Sequence, residues 1–382
     1  MIARLPSSPR RRSLGLSLVE ILVGVAIGLI GIVAIFQAVA VWSKHTQSIS
    51  SGGDAQIAGT LALFNIERDL KQAGHGFGRA TMQVMGCPVD ATGTAPFQMR
   101  AVDIAASAGG RPDRINVLYG NSSFYVDQDT FTNSTATSKK LRRRGGFKPG
   151  DLAIVAVNPG ASAATASCQL IEITKDDDAD GYTVNHDTTP YTSYYAASSP
   201  PVAPRFNSAA SAPLFATGTI YNLGPEPRLD SWSIEANRVL TRTDLLNGSA
   251  PMQIAEGVIN LKAEYGVDSS GNGQIESTEW TAVAPTNWSQ VLAIRVAVLV
   301  RSRQFERTRD AGASGVQAVT PTAANPYYFG DPAGRKFRMT NVDGATDSFD
   351  DTTADPNNWR FYRYKVYERV IPLRNVLWGT FG

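Results

Sequence analysis

Residues 15–42 read GLSLVEILVGVAIGLIGIVAIFQAVAVW, and the reading of this stretch decides how the rest of the chain is placed. Over 21–36 every residue is apolar or glycine, and Gln37 is the only polar break before Trp42. At about 1.5 Å per residue, a helix over 16–41 is long enough to cross a hydrocarbon core of roughly 30 Å. Arg4, Arg10, Arg11 and Arg12 precede the run with no acidic residue among them. Such a basic flank holds the N-terminus in the cytoplasm and exports the chain beyond Trp42. An ordinary secretory signal peptide has a shorter apolar region and closes on a small-residue cleavage site. Here the run is too long, and no Ala-x-Ala site ends it. A plain signal anchor fits the length but leaves Glu20 unexplained. An ionisable group at that depth costs on the order of 2.5–3.5 kcal/mol even on the lenient insertion scale, so it marks a function and calls for a partner.

The 382 residues can hold one large domain or two ordinary ones beyond this segment. An apolar content of 43% permits a sizeable core, and a net charge of +2 argues against a dedicated nucleic-acid binder. Cys87 and Cys168 are too few for a disulfide-dense scaffold and match no zinc spacing. Export makes one disulfide between them the expectation, with two buried thiols as the alternative.

The segment Gly15-Leu16-Ser17-Leu18-Val19-Glu20 resembles the type IV prepilin cleavage motif: a glycine before the cut, then an apolar residue, a small hydroxyl residue, two apolar residues and a glutamate. The resemblance implies that prepilin peptidase cuts between Gly15 and Leu16 and methylates the new amine of Leu16. It also implies that Glu20 pairs with a free N-terminal amine in a filament, and a buried carboxylate does need a cation. Leu16 departs from the phenylalanine usual there.

Beyond the span, 43–51 is polar and can continue the helix, and Gly52-Gly53 reads as a break or kink. Asp54 can cap a second helix whose apolar stripe is Ile57, Leu61, Phe64 and Leu70, with Gly74 as its stop. The organisation expected is a leader at 1–15, a transmembrane helix at 16–42, an amphipathic helical region at 43–74 and an extracytoplasmic β-rich head at 75–382. In the head, 151–157, 169–174, 217–223 and 231–235 are short apolar or alternating runs bounded by Gly, Pro and Asp. Over 288–301 the pattern places Leu292, Ile294, Val296, Val298 and Val300 on one face and Arg295 and Arg301 on the other. The 359–371 stretch alternates as well. Stretches 161–166, 194–213 and 311–333 are rich in Ala, Ser, Pro and Gly and read as loops. The fold class is α+β, with a large antiparallel sheet.

Several of these segments are similar to PilW-type minor pilins: Glu67-Arg68-Asp69-Leu70-Lys71-Gln72-Ala73-Gly74, then Glu256-Gly257-Val258 leading to Tyr265-Gly266-Val267-Asp268, Trp288 with its strand, and Pro372-Leu373-Arg374-Asn375. The resemblance implies a type IV pilin-like fold, with a long N-terminal helix packed on an antiparallel head. It implies a minor pilin that primes pilus assembly at or near the tip, and no enzyme. Its partners would be other minor pilins, the major pilin, prepilin peptidase and a tip adhesin. It would reside in the inner membrane before assembly and in the pilus fibre afterwards. The rivals are a minor pseudopilin of a type II secretion system and, in another class, a membrane-anchored periplasmic enzyme.

Two loops carry oxygen ligands at calcium-loop spacing. In the first, Asp268, Ser270 and Asn272 offer side-chain oxygens, Gly273 the turn, Gln274 a carbonyl, Glu276 a direct or water-mediated contact, and Glu279 the closing carboxylate. A polar hairpin is the alternative. In the second, Asp176, Asp178 and Asp180 precede Gly181, and Asp187 stands in for the closing glutamate; an Asp-Gly turn explains that pair without an ion. Calcium is the only cofactor the sequence suggests. Catalysis has little to stand on, because His45, His75 and His186 are isolated and no nucleophile-elbow, zincin or phosphate-loop motif occurs. The basic run 139–148 (KKLRRRGGFK) can touch DNA, phospholipid heads or an acidic partner, but a solvated loop is the simpler reading, and no specific nucleic-acid binding is expected.

Overall fold

The fold is described from a computed structural model. It describes residues 17–302 apart from 82, 124–127, 133–134, 144–145, 158–166, 177–181, 197–198, 209–216 and 236, and beyond these 308–309, 316–317, 337 and 362–380. Gly15, Leu16, Asp178, Asp180 and the 161–166 stretch lie outside the described residues. The chain divides into two compact units, Met1–Gly52 and Gly53–Gly382.

Helix α1 spans Leu18–Gln72. Its first turn is closed by Ser17, whose Oγ accepts the Glu20 N–H at 3.3 Å, as a small hydroxyl does at a helix N-cap. From Leu18 to Ser43 the helix is long and apolar enough to cross a membrane, and none of that window is buried within the protein. The helix runs through Gly52-Gly53 without interruption, and Asp54 lies inside it instead of capping a new one. Glycine costs only about 1 kcal/mol against alanine in a helix interior, too little to end a helix that is stabilised elsewhere.

In the second unit the buried face of α1 differs from the expected stripe. Ala62, Leu63, Ile66 and Leu70 are buried, and Ala55 and Ala58 pack against the same core. Ile57, Leu61 and Phe64 are 67%, 43% and 61% exposed, so of the expected stripe only Leu70 is internal. Toward the start of this face the residues are small, and Ala55, Ala58 and Gly59 let the helix backbone approach closely; a Cβ at Gly59 would run into the Tyr367 ring. The α1 end is also held from afar: the Asn375 amide donates to the carbonyls of Gln72 and Ala73, both at 3.1 Å. Gly74, at φ +79°, gives its N–H to the Leu118 carbonyl at 2.9 Å.

Among the described residues the strands form three main sheets instead of the single large one expected. The first is antiparallel, in the order Met252–Glu256, Val239–Asp244, Arg228–Ile234, Arg114–Tyr119, Val102–Ala105. The second runs Trp280–Thr281, Val258–Val267, Val291–Arg301, Tyr364–Pro372. The third has nine strands and is centred on Ser167–Glu172, Leu152–Val157 and Thr217–Gly224. Its single parallel pairing among the described strands joins Pro88–Asp90 to Ser167–Glu172, beside a disulfide linking Cys87 to Cys168, whose Cα atoms are 6.1 Å apart. Thr308–Arg309 and Val316–Gln317 pair as a separate hairpin, the latter strand inside a stretch that reads as loop.

Alternation sorts these strands into layers. Leu152, Ile154 and Ala156 join the main core with α1, whereas Ala153 and Val155 join a second cluster with Phe131, Phe147 and Ile171. Val291–Arg301 is buried on both faces: Ile294, Val296, Val298 and Val300 join the main core, and Ala297 and Leu299 on the other face pack with Ile259 and Phe337. The alternation of Arg295 and Arg301 therefore marks two half-buried positions and not an open face.

One cluster of buried charge sits where α1 meets the first sheet. Asp69 is 1% exposed; Arg242 Nη1 lies 3.6 Å from its Oδ2, and Arg68 Nε lies 3.4 Å from its Oδ1. Asp230, also buried, accepts the Tyr119 hydroxyl at 2.8 Å and has Arg228 Nε at 3.5 Å. Burial, followed by the neighbouring Asp230 charge, raises the Asp69 carboxyl above the ordinary carboxylate range.

The observed burial predicts a contrast between neighbours on one helix. Ile66→Ala should cost about 2–4 kcal/mol of stability, and Leu61→Ala or Phe64→Ala less than about 1 kcal/mol. Denaturant titration of the full chain in detergent checks this; equal losses at positions 61 and 66 would refute the assigned face.

Candidate functional site

The N-terminal site rests on one described residue pair, Ser17 and Glu20, at the start of α1. Leu18, Val19 and Glu20 are all exposed, so the protein itself supplies no burial and no counter-ion there among the described residues. An ionisable side chain so placed in an apolar helix is costly in lipid.

The 268–279 loop is closed by its own amides. Asp268 Oδ1 accepts from the N–H groups of Gly271 at 2.7 Å and Asn272 at 3.0 Å and from the Ser270 hydroxyl at 3.2 Å, while Oδ2 accepts from Gly273 N–H at 2.7 Å. Glu279 Oε1 accepts from the N–H groups of Ser269 and Ser270, both at 3.0 Å, and from the Ser269 hydroxyl at 2.7 Å. Its Oε2 takes the Glu276 N–H at 3.0 Å. Asn272 Oδ1 accepts Gln274 N–H at 2.8 Å, and its amide reaches Glu276 at 3.4 Å. Gly271 and Gly273 have φ of +73° and +77°, which is what lets successive amides turn inward. The hydrogen bond from Glu276 N–H, then those from Ser269 and Ser270, hold the Glu279 carboxyl down at about 2. Among the described residues no three His, Cys, Asp or Glu side chains come together as a metal-holding group. In this arrangement the loop's own amides and hydroxyls take up the Asp268 and Glu279 carboxylates.

In the second loop, Asp176 pairs with Lys148 at 3.1 Å, and Asp187 accepts from Thr189 N–H at 3.0 Å and the Thr174 hydroxyl at 3.3 Å. These two carboxylates serve different neighbours and do not converge.

The basic run 139–148 does not form one surface. Lys139 is buried, Lys148 is engaged with Asp176 and stacks at 5.4 Å on Tyr194, and Lys140, Arg142 and Arg143 are exposed. Lys139 Nζ donates to the Thr135 carbonyl at 2.9 Å and lies 2.8 Å from His186 Nε2. Sequence spacing hid this pair, because the two residues come from different strand neighbourhoods joined by the pairing of Ser138–Leu141 with Thr183–Asn185. Burial, and then the Lys139 charge, pushes His186 down to about 3, and burial pulls Lys139 down to about 8. His186 thus stays neutral and serves as an acceptor.

Residues 234–375 match the family model of PilW, Type IV Pilus-assembly protein W, which covers less than half of the chain. No curated protein and no solved structure matches it. The matched region holds the last strands of the first sheet, the whole of the second and the self-closed loop, and it ties the chain to type IV pilus assembly.

Two measurements probe these sites. A loop closed by its own amides is expected to leave the melting temperature of the full chain the same in calcium as in EGTA; a rise with calcium would mean that its oxygens regroup around the ion. For His186 the folded form takes a proton only near pH 3 and the unfolded form near 6.5, so its contribution is complete above about 6.5 and is lost as pH falls toward 3. Unfolding free energies from urea titration should decline as pH falls over that window with a slope of at most about 1.4 kcal/mol per pH unit from this group, and His186→Gln should flatten it. An unchanged slope in the variant would assign the acid sensitivity elsewhere.

Proposed function

We propose that this chain is a minor pilin that helps prime type IV pilus assembly, sits at or near the pilus tip, and works by binding other subunits. The observation that carries this reading is the joining of an exposed, membrane-length apolar helix containing Glu20 to a head matched over 234–375 by the PilW family. In this reading prepilin peptidase removes residues 1–15 and methylates Leu16. The helix then leaves the inner membrane for a bundle of like helices, exchanging lipid contacts for protein contacts. Glu20 fixes the register of entry by pairing with the free amine of a neighbouring subunit, since a carboxylate buried without a cation is strongly disfavoured. The exposed Ile57, Leu61 and Phe64 recur at helical spacing and leave apolar surface on the second unit, where neighbouring pilins can cover it. Other minor pilins, the major pilin and a tip adhesin are the partners of this reading, and the head lies outside the inner membrane, where its disulfide persists.

Mass spectrometry of the protein isolated from its native membrane tests the first step. The expected N-terminus is a methylated Leu16, and a functional protein that retains residues 1–15 would exclude the pilin reading. Glu20→Ala is expected to leave cutting and membrane insertion intact and to abolish incorporation into fibres, read by immunoblot of sheared pili. Normal incorporation of that variant would remove the charge-pairing role.

A further inference from the structure

The face that α1 leaves outside in the second unit follows a stricter rule than apolar character. Asp54, Ile57, Leu61, Phe64, Arg68 and Lys71 are all exposed, and they succeed one another at alternating steps of three and four. That spacing keeps successive side chains on one narrow stripe, and it is the spacing of a seam that meets a second helix along its length. The seam is also sorted by charge. It begins with a carboxylate, continues with three large apolar residues and ends with two cations. Arg68 and Lys71 each touch a carboxylate of α1, Asp69 at 3.4 Å and Glu67 at 2.7 Å, yet 48% and 43% of their side chains stay in solvent.

A cleft of about 240 Å³ opens beside the first part of the seam. Asp54, Ile57, Ala58 and Leu61 form one wall, and the strand Met252–Glu256, at the edge of the first sheet, forms the other. Positions i, i+3, i+4 and i+7 of a helix are the four corners of the hole that receives one side chain from a facing helix. The volume lies below the roughly 300–1,000 Å³ of small-molecule sites. Corner geometry and size together select a single large apolar side chain presented by an α-helix.

Charge then decides which helix. Chains rooted in one membrane by their N-terminal spans meet with their helices in the same sense. A second copy level with the first would set Asp54 against Asp54, Arg68 against Arg68 and Lys71 against Lys71, and like charges across a helix pair select against it. A different helix escapes this cost when it carries a cation level with Asp54 and carboxylates level with Arg68 and Lys71.

We propose that the exposed seam of α1 from Asp54 to Lys71 pairs with the helix of a different pilus subunit, which seats one large apolar side chain in the cleft and sets carboxylates opposite Arg68 and Lys71. The partner so described belongs to the pilus reading, and the inference rests on it.

Photo-crosslinking in the cells that make the protein tests it, with p-benzoylphenylalanine at position 60, where Thr60 is exposed beside the seam. Peptide mass spectrometry should map the product to a helix of another chain, with a carboxylate about two to three turns further along it. Lys71→Glu should lower the yield about fivefold or more, and Lys71→Arg should keep it. In isolated membranes the wild-type yield should fall as salt rises from about 50 to about 500 mM, a readout that needs no variant at position 71. A product joining two copies of this chain, a product on a strand or loop, no product, or a yield indifferent to both the charge at position 71 and salt would overturn the proposal. The same sample reports the N-terminus. A methylated Leu16 without the expected product removes the seam and leaves the pilin reading standing, whereas a working protein that retains residues 1–15 removes both.

Discussion

The head is organised around a carboxylate that it cannot leave uncompensated. Asp69 lies one residue before Leu70 on α1, inside the surface that meets the first sheet, and it is removed from water. A lone buried charge of this kind costs several kcal/mol, so Arg242 and Arg68 approach it, Asp230 adds a second carboxylate, and Tyr119 and Arg228 engage Asp230 in turn. That network draws α1, Arg114–Tyr119, Arg228–Ile234 and Val239–Asp244 to a common point. An apolar interface alone would tolerate small slips along the helix, whereas ion pairs at fixed distances do not.

Around that point the packing divides the labour of the second half of α1. One face is used internally, with Leu63, Ile66 and Leu70 in the core, Gly59 against Tyr367 and the amide of Asn375 on the last carbonyls. Ile57, Leu61 and Phe64, just as apolar, remain outside. They leave apolar surface available for neighbours, in keeping with a chain tied to pilus assembly.

The self-closed loop and the Lys139–His186 pair treat their polar groups in the same way. In both, a titratable side chain is taken up by hydrogen bonds inside the fold, from backbone N–H groups at Glu279 and from a buried lysine at His186. Long connections are held likewise. Glu172, on a central strand, accepts the N–H of Arg205 at 2.7 Å and the Tyr191 hydroxyl at 2.5 Å, which orders part of the stretch that reads as a loop.

The sequence by itself determined the membrane-length helix, the misplaced charge of Glu20 and the approximate positions of the main strands. Each of these rests on local rules: hydrophobic run length, the cost of a charge among apolar residues, and period-two alternation. It brought Asp268, Ser270, Asn272 and Glu279 into the right proximity, since ligands within twelve positions of a turn are neighbours in any fold, but did not show their use as acceptors for the loop's own amides. Only tertiary structure decided which stripe of α1 is buried, because Ile57 and Ala58 differ by closeness of approach and not by hydrophobic character alone. It alone decided that the strands split into three sheets and that Val291–Arg301 is covered on both faces. It likewise set the strand Met252–Glu256 across a cleft from Ile57, Ala58 and Leu61, since packing brings together elements far apart in sequence whose neighbourhood no local pattern announces.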